Sequence, residues 1–167
     1  MTGEGRIDDT VWIVKTHYPE RLGHTPMRIN KCILMVRSPI DSLWSFFNMM
    51  CMQSHNKAIP EDKIDSLQGI WQTFIEDEIQ TWVEFHEYWT KSPQKVPTYV
   101  VRYEDLLTKP YECLIGIFKF LLNRDDNLFG TYVEQLIKEV SGKDKPPEVY
   151  KPRSGKVNAS LQYFSEA

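Results

Sequence analysis

Short, uniformly apolar runs alternate along this chain with longer stretches in which apolar residues recur at three- and four-residue steps. Val11-Trp12-Ile13-Val14-Lys15 and Cys32-Ile33-Leu34-Met35-Val36-Arg37 read as buried strands, rich in β-branched residues and ending in a charge. Pro97 to Arg102 reads as a third. Apolar runs of this kind suit a parallel sheet covered by helices on both faces. Between the first two lie the breakers Pro19, Gly23 and Pro26. Ser38-Pro39 predicts a helix start, with serine as cap and proline in the first turn. That helix runs to about Met52 with Leu43, Phe46, Phe47 and Met50 on one side, and polar residues 53–63 form a surface loop. Residues 64–91 repeat apolar side chains (Leu67, Ile70, Trp71, Phe74, Ile75, Ile79, Trp82, Val83, Phe85, His86, Trp89) as one long amphipathic helix. Tyr103 to Leu107 begins a helical turn stopped by Pro110, and helices follow over 111–123 and 129–141. From Gly142 the composition shifts to Gly, Lys, Pro and Ser, which predicts a loop-rich tail over 142–167. Strands interleaved with helices make this an α/β chain with a mainly parallel sheet, one domain over 1–167.

Composition narrows the partners. The formal net charge of -3 and pI near 5.8 give no broad basic field for nucleic acid or an anionic membrane. No apolar run is long enough to span a bilayer, and no leader peptide is recognisable. Cys32, Cys51 and Cys113 lie in apolar surroundings and read as buried reduced thiols, which points to the cytoplasm. Cys51-x3-His55 has zinc-like spacing but no second pair, so no metal site is expected. Trp71, Trp82 and Trp89 read as a core stripe, and Asn158-Ala159-Ser160 as a chance sequon.

Open α/β sheets bind ligands beyond the carboxyl ends of their strands, and the candidate chemistry gathers there. Arg37 ends the second strand, and Ser45 follows eight residues later in the next helix. A guanidinium, a hydroxyl and a helix N-terminus together suit a phosphate. The competing reading pairs Arg37 with Asp41 and leaves Ser45 to pack. Lys15 and His17 follow the first strand, where histidine can serve as a general base and lysine can neutralise charge on a transferred group. The competing reading is an exposed loop. Arg153-Ser154-Gly155-Lys156 closes a segment, 143–156, with five basic residues against two acidic ones. It reads as an anion clamp or as a solvated basic tail.

Taken in order, these pieces resemble the sulfotransferase domain family. Lys15-Thr16-His17, Arg37-x7-Ser45, Tyr103-Glu104-Asp105 and Arg153-x-Gly155 with Phe164-Ser165 beyond it are similar to that family's motifs, in sequence and in spacing. Phe118-Lys119-Phe120-Leu121 resembles its Phe-Leu helix. The resemblance implies a P-loop-NTPase-like sulfotransferase fold using 3′-phosphoadenosine 5′-phosphosulfate as co-substrate, without a metal. It implies that His17 is the base and that Lys15 lies beside the sulfuryl group. Arg37, Ser45, Arg153, Ser154 and Gly155 would hold the 3′-phosphate, with Tyr103 near the adenine. The acceptor would be a hydroxyl or amine of unspecified identity, and oligomeric state is not legible.

The chain also departs from the pattern. The family opens with a strand and a Pro-Lys-Ser-Gly-Thr-Thr-like phosphosulfate loop, and nothing before Val11 resembles it, so an N-terminally incomplete domain is expected. Ser154 stands in place of a lysine, and Asn158 where a second glycine is expected. A different class of function is therefore carried alongside: a non-catalytic relic that binds a nucleotide phosphate or a protein partner. A small kinase is disfavoured, because no Gly-x4-Gly-Lys-Ser/Thr loop is present.

Overall fold

Parallel pairing of two five-residue strands sets the frame. β1 (Cys32–Val36) and β2 (Thr98–Arg102) run in the register Cys32 to Thr98 through Val36 to Arg102. The computed structural model describes residues 10–17, 29–91, 96–126, 128–142 and 156–164. Parallel neighbours cannot be joined by a tight turn and need a long crossover. Here it comprises α1 (Pro39–Met52), α2 (Glu61–Ile64), a 3-10 turn (Asp65–Leu67) and α3 (Gln68–Lys91). After β2 the chain passes directly into α4 (Tyr103–Thr108), α5 (Pro110–Leu122) and α6 (Tyr132–Ser141), with a last 3-10 turn at Leu161–Tyr163. Helices with a small parallel sheet make this an α/β fold.

Several sequence expectations need correction. Val11 to Lys15 forms no strand: the segment is irregular, with Trp12 70% and Ile13 62% exposed. A β-branched apolar run becomes a strand only when a neighbouring ladder satisfies its backbone, and among the described residues β1 and β2 pair only with each other. Neither strand is buried throughout: Leu34 and Val101 are buried while Met35 and Val100 are open. Because Leu34 pairs with Val100, the buried positions lie on opposite faces of the sheet. Residues 61–64, expected in a loop, are α2, and the expected helix over 64–91 is divided by the 3-10 turn. Met50 and Ile70 lie outside the core, and Cys51 is exposed rather than buried. Pro110 opens α5 as well as ending α4, because the residue before a proline is driven out of helical geometry and Lys109 takes φ -136°.

The main core is aromatic and sits between α1 and α3. Leu43, Phe47, Ile59 and Trp71 are its buried members, with Trp44, Phe74 and Phe164 packed around them. Asn48 is buried among them and satisfied: its amide donates to the Trp44 carbonyl at 3.0 Å, and its oxygen accepts the Ile59 N–H at 2.9 Å. This pair ties the 53–60 loop to α1. Just before β1, Lys31 caps the last turn of α5. Its ammonium donates to the carbonyls of Phe120 and Leu121 and to Asn123 Oδ1, placing a cation on the negative end of that helix. Asn123 takes the left-handed conformation (φ 54°) that terminates α5. Gly116 leaves room for Tyr99 of β2, since a Cβ there would meet the Tyr99 hydroxyl and displace the ring.

α6 begins with a variant of the capping box, in which the carboxylate takes the amide of the residue before the cap. Thr131 Oγ1 accepts the Glu134 N–H at 3.2 Å, and Glu134 reaches back to accept the Gly130 N–H at 2.8 Å. The same carboxylate accepts from Lys138 at 2.9 Å and from the Tyr111 hydroxyl at 2.7 Å. These donors, Lys138 foremost, hold the Glu134 carboxyl down at about 2 against an ordinary value of 4.5. A carboxyl depressed in the folded state stabilises it above its unfolded value and loses that contribution as pH falls. Thermal stability of the wild type is therefore expected to fall as pH drops from about 4.5 to 2. Glu134→Gln should lower the neutral-pH midpoint and flatten that limb. An unchanged acid limb in the variant would show that Glu134 is not its source.

Candidate active site

The register of the sheet builds the candidate site. Because Val36 pairs with Arg102, the next residues along each strand, Arg37 and Tyr103, emerge side by side at the carboxyl edge. The Arg37 guanidinium lies over the Tyr103 ring at 4.6 Å from its centroid, a cation–π contact that holds the head in place. One residue further, the Ser38 N–H donates to Glu104 Oε1 at 2.8 Å. Thus Tyr103-Glu104 is the partner of Arg37-Ser38 across the sheet, and the two strand ends are locked to each other. Ser38 does not cap α1 with its side chain, as had been expected; its backbone N–H is held by Glu104 instead.

Arg37 is half-buried, and its Nε is buried with no hydrogen-bond acceptor among the described residues. An unsatisfied buried donor costs about 1–3 kcal/mol, so native proteins rarely leave one without a reason. The rival pairing with Asp41 is not made. Asp41, only 3% exposed in the first turn of α1, has both oxygens engaged elsewhere. Oδ2 accepts the Asn158 N–H at 2.8 Å, and Oδ1 accepts the Ser160 N–H at 3.1 Å. Ser45 lies on the same helix, half-buried, six residues beyond its start.

The tail packs where Asp41 receives it. Tyr163 stacks on Trp44 with centroids 3.8 Å apart, and its carbonyl accepts the Trp71 Nε1–H at 3.1 Å. Phe164 meets Trp71 edge-on at 5.2 Å. Asn158 adopts φ 58°, a left-handed conformation that asparagine tolerates better than most side chains. That conformation explains how asparagine can occupy a place where glycine is expected.

Lys15 and His17 are exposed, on the irregular Thr10–His17 segment. The strand that would carry them to the carboxyl edge is the one that does not form. Arg153, Ser154 and Gly155 lie outside the described residues. Glu104 and Asp41 are the two positions that sequence reasoning passed over. Glu104 was visible only as part of Tyr103-Glu104-Asp105, and Asp41 only as a rival for Arg37. Among the described residues no group of three or more His, Cys, Asp or Glu is placed to hold a metal ion, and no helix is long and apolar enough to cross a membrane.

Comparison with curated proteins and with solved structures returns no significant match. The family model described as "Sulfotransferase domain" matches residues 5–148, most of the 167-residue chain. That span takes in both strands, the crossover between them and the Arg37–Tyr103 edge, and by it this chain belongs to the sulfotransferase domain family.

Proposed function

We propose that the Arg37 edge receives the 3′-phosphate of 3′-phosphoadenosine 5′-phosphosulfate, and that the chain serves sulfuryl transfer from that donor to a hydroxyl or amine. The observation that carries this reading is the buried Arg37 Nε without an acceptor, on a guanidinium already oriented by Tyr103. A phosphate supplies the missing acceptor and can take two parallel hydrogen bonds from the fork. Ser45 and the first-turn amides of α1 are the proposed further donors, and the helix dipole favours the charge. Arg153, Ser154 and Gly155 are proposed to complete the phosphate site. Arg153 lies five positions before Asn158, a reach of at most about 18 Å. Tyr103, besides orienting Arg37, is the proposed neighbour of the adenine.

In the transfer step the acceptor oxygen or nitrogen attacks sulfur as the bond from sulfur to the bridging phosphate oxygen breaks. Adenosine 3′,5′-bisphosphate departs, and His17 takes the acceptor's proton. Lys15 offsets charge developing on the transferred group. The exposure of Lys15 and His17 favours a second reading, in which the chain binds the nucleotide and does not turn it over.

Titration calorimetry with adenosine 3′,5′-bisphosphate and with AMP tests the binding claim. The bisphosphate is expected to bind at least about 10-fold tighter, the equivalent of about 1.4 kcal/mol. Equal affinities would remove the 3′-phosphate site. Labelled-sulfate transfer separates the two readings. His17→Ala should lower turnover while leaving donor affinity in place, and no transfer by the wild type would favour the binder.

A further inference from the structure

The tail does more than pack against α1. Arg37 and Asp41 are four residues apart, flanking the start of α1, a spacing at which a guanidinium and a carboxylate readily meet. They do not pair, because the backbone N–H groups of Asn158 and Ser160 engage both Asp41 oxygens. The same turn leaves the Arg37 Nε without an acceptor. We propose that residues 156–164 act as an internal competitor for Asp41, keeping that carboxylate off Arg37 so that the guanidinium stays open to an anion. Asp41 is thus a latent rival for Arg37, and the tail sets the affinity of the site by occupying Asp41. This inference rests on the anion-binding role of Arg37 given above.

The arrangement has a consequence that a simple packing role lacks. Releasing the tail returns Asp41 to Arg37, and removing Asp41 makes the release harmless. Asn158 provides the handle, because a β-branched side chain is strongly disfavoured at its φ of 58° while glycine is not. Asn158→Val should expose the Ser160 amide to hydrogen exchange and weaken adenosine 3′,5′-bisphosphate binding about 10-fold, the scale of one well-placed charge pair. Asn158→Gly should resemble the wild type in both measurements. Asp41→Ala also frees the Ser160 amide, yet should keep affinity within about 3-fold of the wild type, and Asn158→Val combined with Asp41→Ala should return to that same level.

Rescue by Asp41→Ala in the released background is the decisive result, since lost packing would not be repaired by deleting a second tail contact. Two results would overturn the inference while leaving the 3′-phosphate site intact: undiminished affinity in Asn158→Val, or a double variant weaker than Asn158→Val alone. Persistent protection of Ser160 in Asn158→Val would overturn it as well. A wild type that does not distinguish the bisphosphate from AMP sinks the anion-binding role itself.

Discussion

Arg37→Ala is expected to abolish the preference for adenosine 3′,5′-bisphosphate over AMP, weakening the bisphosphate by at least about 100-fold. Charge-assisted hydrogen bonds contribute about 1.5–3 kcal/mol each, and a bidentate guanidinium makes two to one phosphate. The variant should barely change the melting temperature. It removes the contact with Tyr103, worth about 0.5–1 kcal/mol where solvent reaches it. However, it also removes a buried donor that has no acceptor among the described residues, so the two changes oppose each other. This split between lost affinity and retained stability separates a ligand-binding arginine from a structural one. Arg37→Lys keeps the charge, loses the fork, and should fall between the two. A large drop in melting temperature with unchanged nucleotide discrimination would instead make Arg37 part of the scaffold.

The largest effect on stability is expected at Trp71. It is 6% exposed, meets the rings of Trp44, Phe47, Phe74 and Phe164, and donates its indole N–H to Tyr163. Truncating a buried tryptophan to alanine costs about 3–5 kcal/mol, out of the 5–15 kcal/mol available to a typical domain. Beside Trp71 lies a cavity of about 160 Å³, lined also by Trp44, Phe47, Ile59 and Tyr163, so the vacated space adds to one already present. For a chain of this size the midpoint should fall by roughly 6–20 °C. Trp71→Phe, which keeps a ring but loses the donor to Tyr163 and some volume, should cost less, about 1–3 kcal/mol. Hydrogen exchange of the tail should rise in both variants, since Tyr163 and Phe164 are held on this ring. Near wild-type melting of Trp71→Ala would show that the cluster between α1 and α3 is not the principal core.

What the chain reveals about itself divides along a physical line. Alternation and periodicity depend on neighbours a few residues away, so β1, β2, α1, α3 and α5 are legible to within a few residues. The order of Lys15-Thr16-His17, Arg37-x7-Ser45 and Tyr103-Glu104-Asp105 is likewise local, and it leads to the family that the match over residues 5–148 shows. Val11 to Lys15 carries the composition of a strand and yet is irregular. A strand needs a partner, and no local rule reports whether the partner is there.

Contacts between distant segments belonged to the tertiary structure alone. The register that pairs Val36 with Arg102 places Arg37 on Tyr103 one residue further and Ser38 on Glu104 two residues further. Asp41 looked like a partner for Arg37 because the two are near in sequence, but it is bound by amides well over a hundred residues away. Hydrogen-bond geometry selects partners by position in space, and for a buried carboxylate that selection outweighs closeness along the chain.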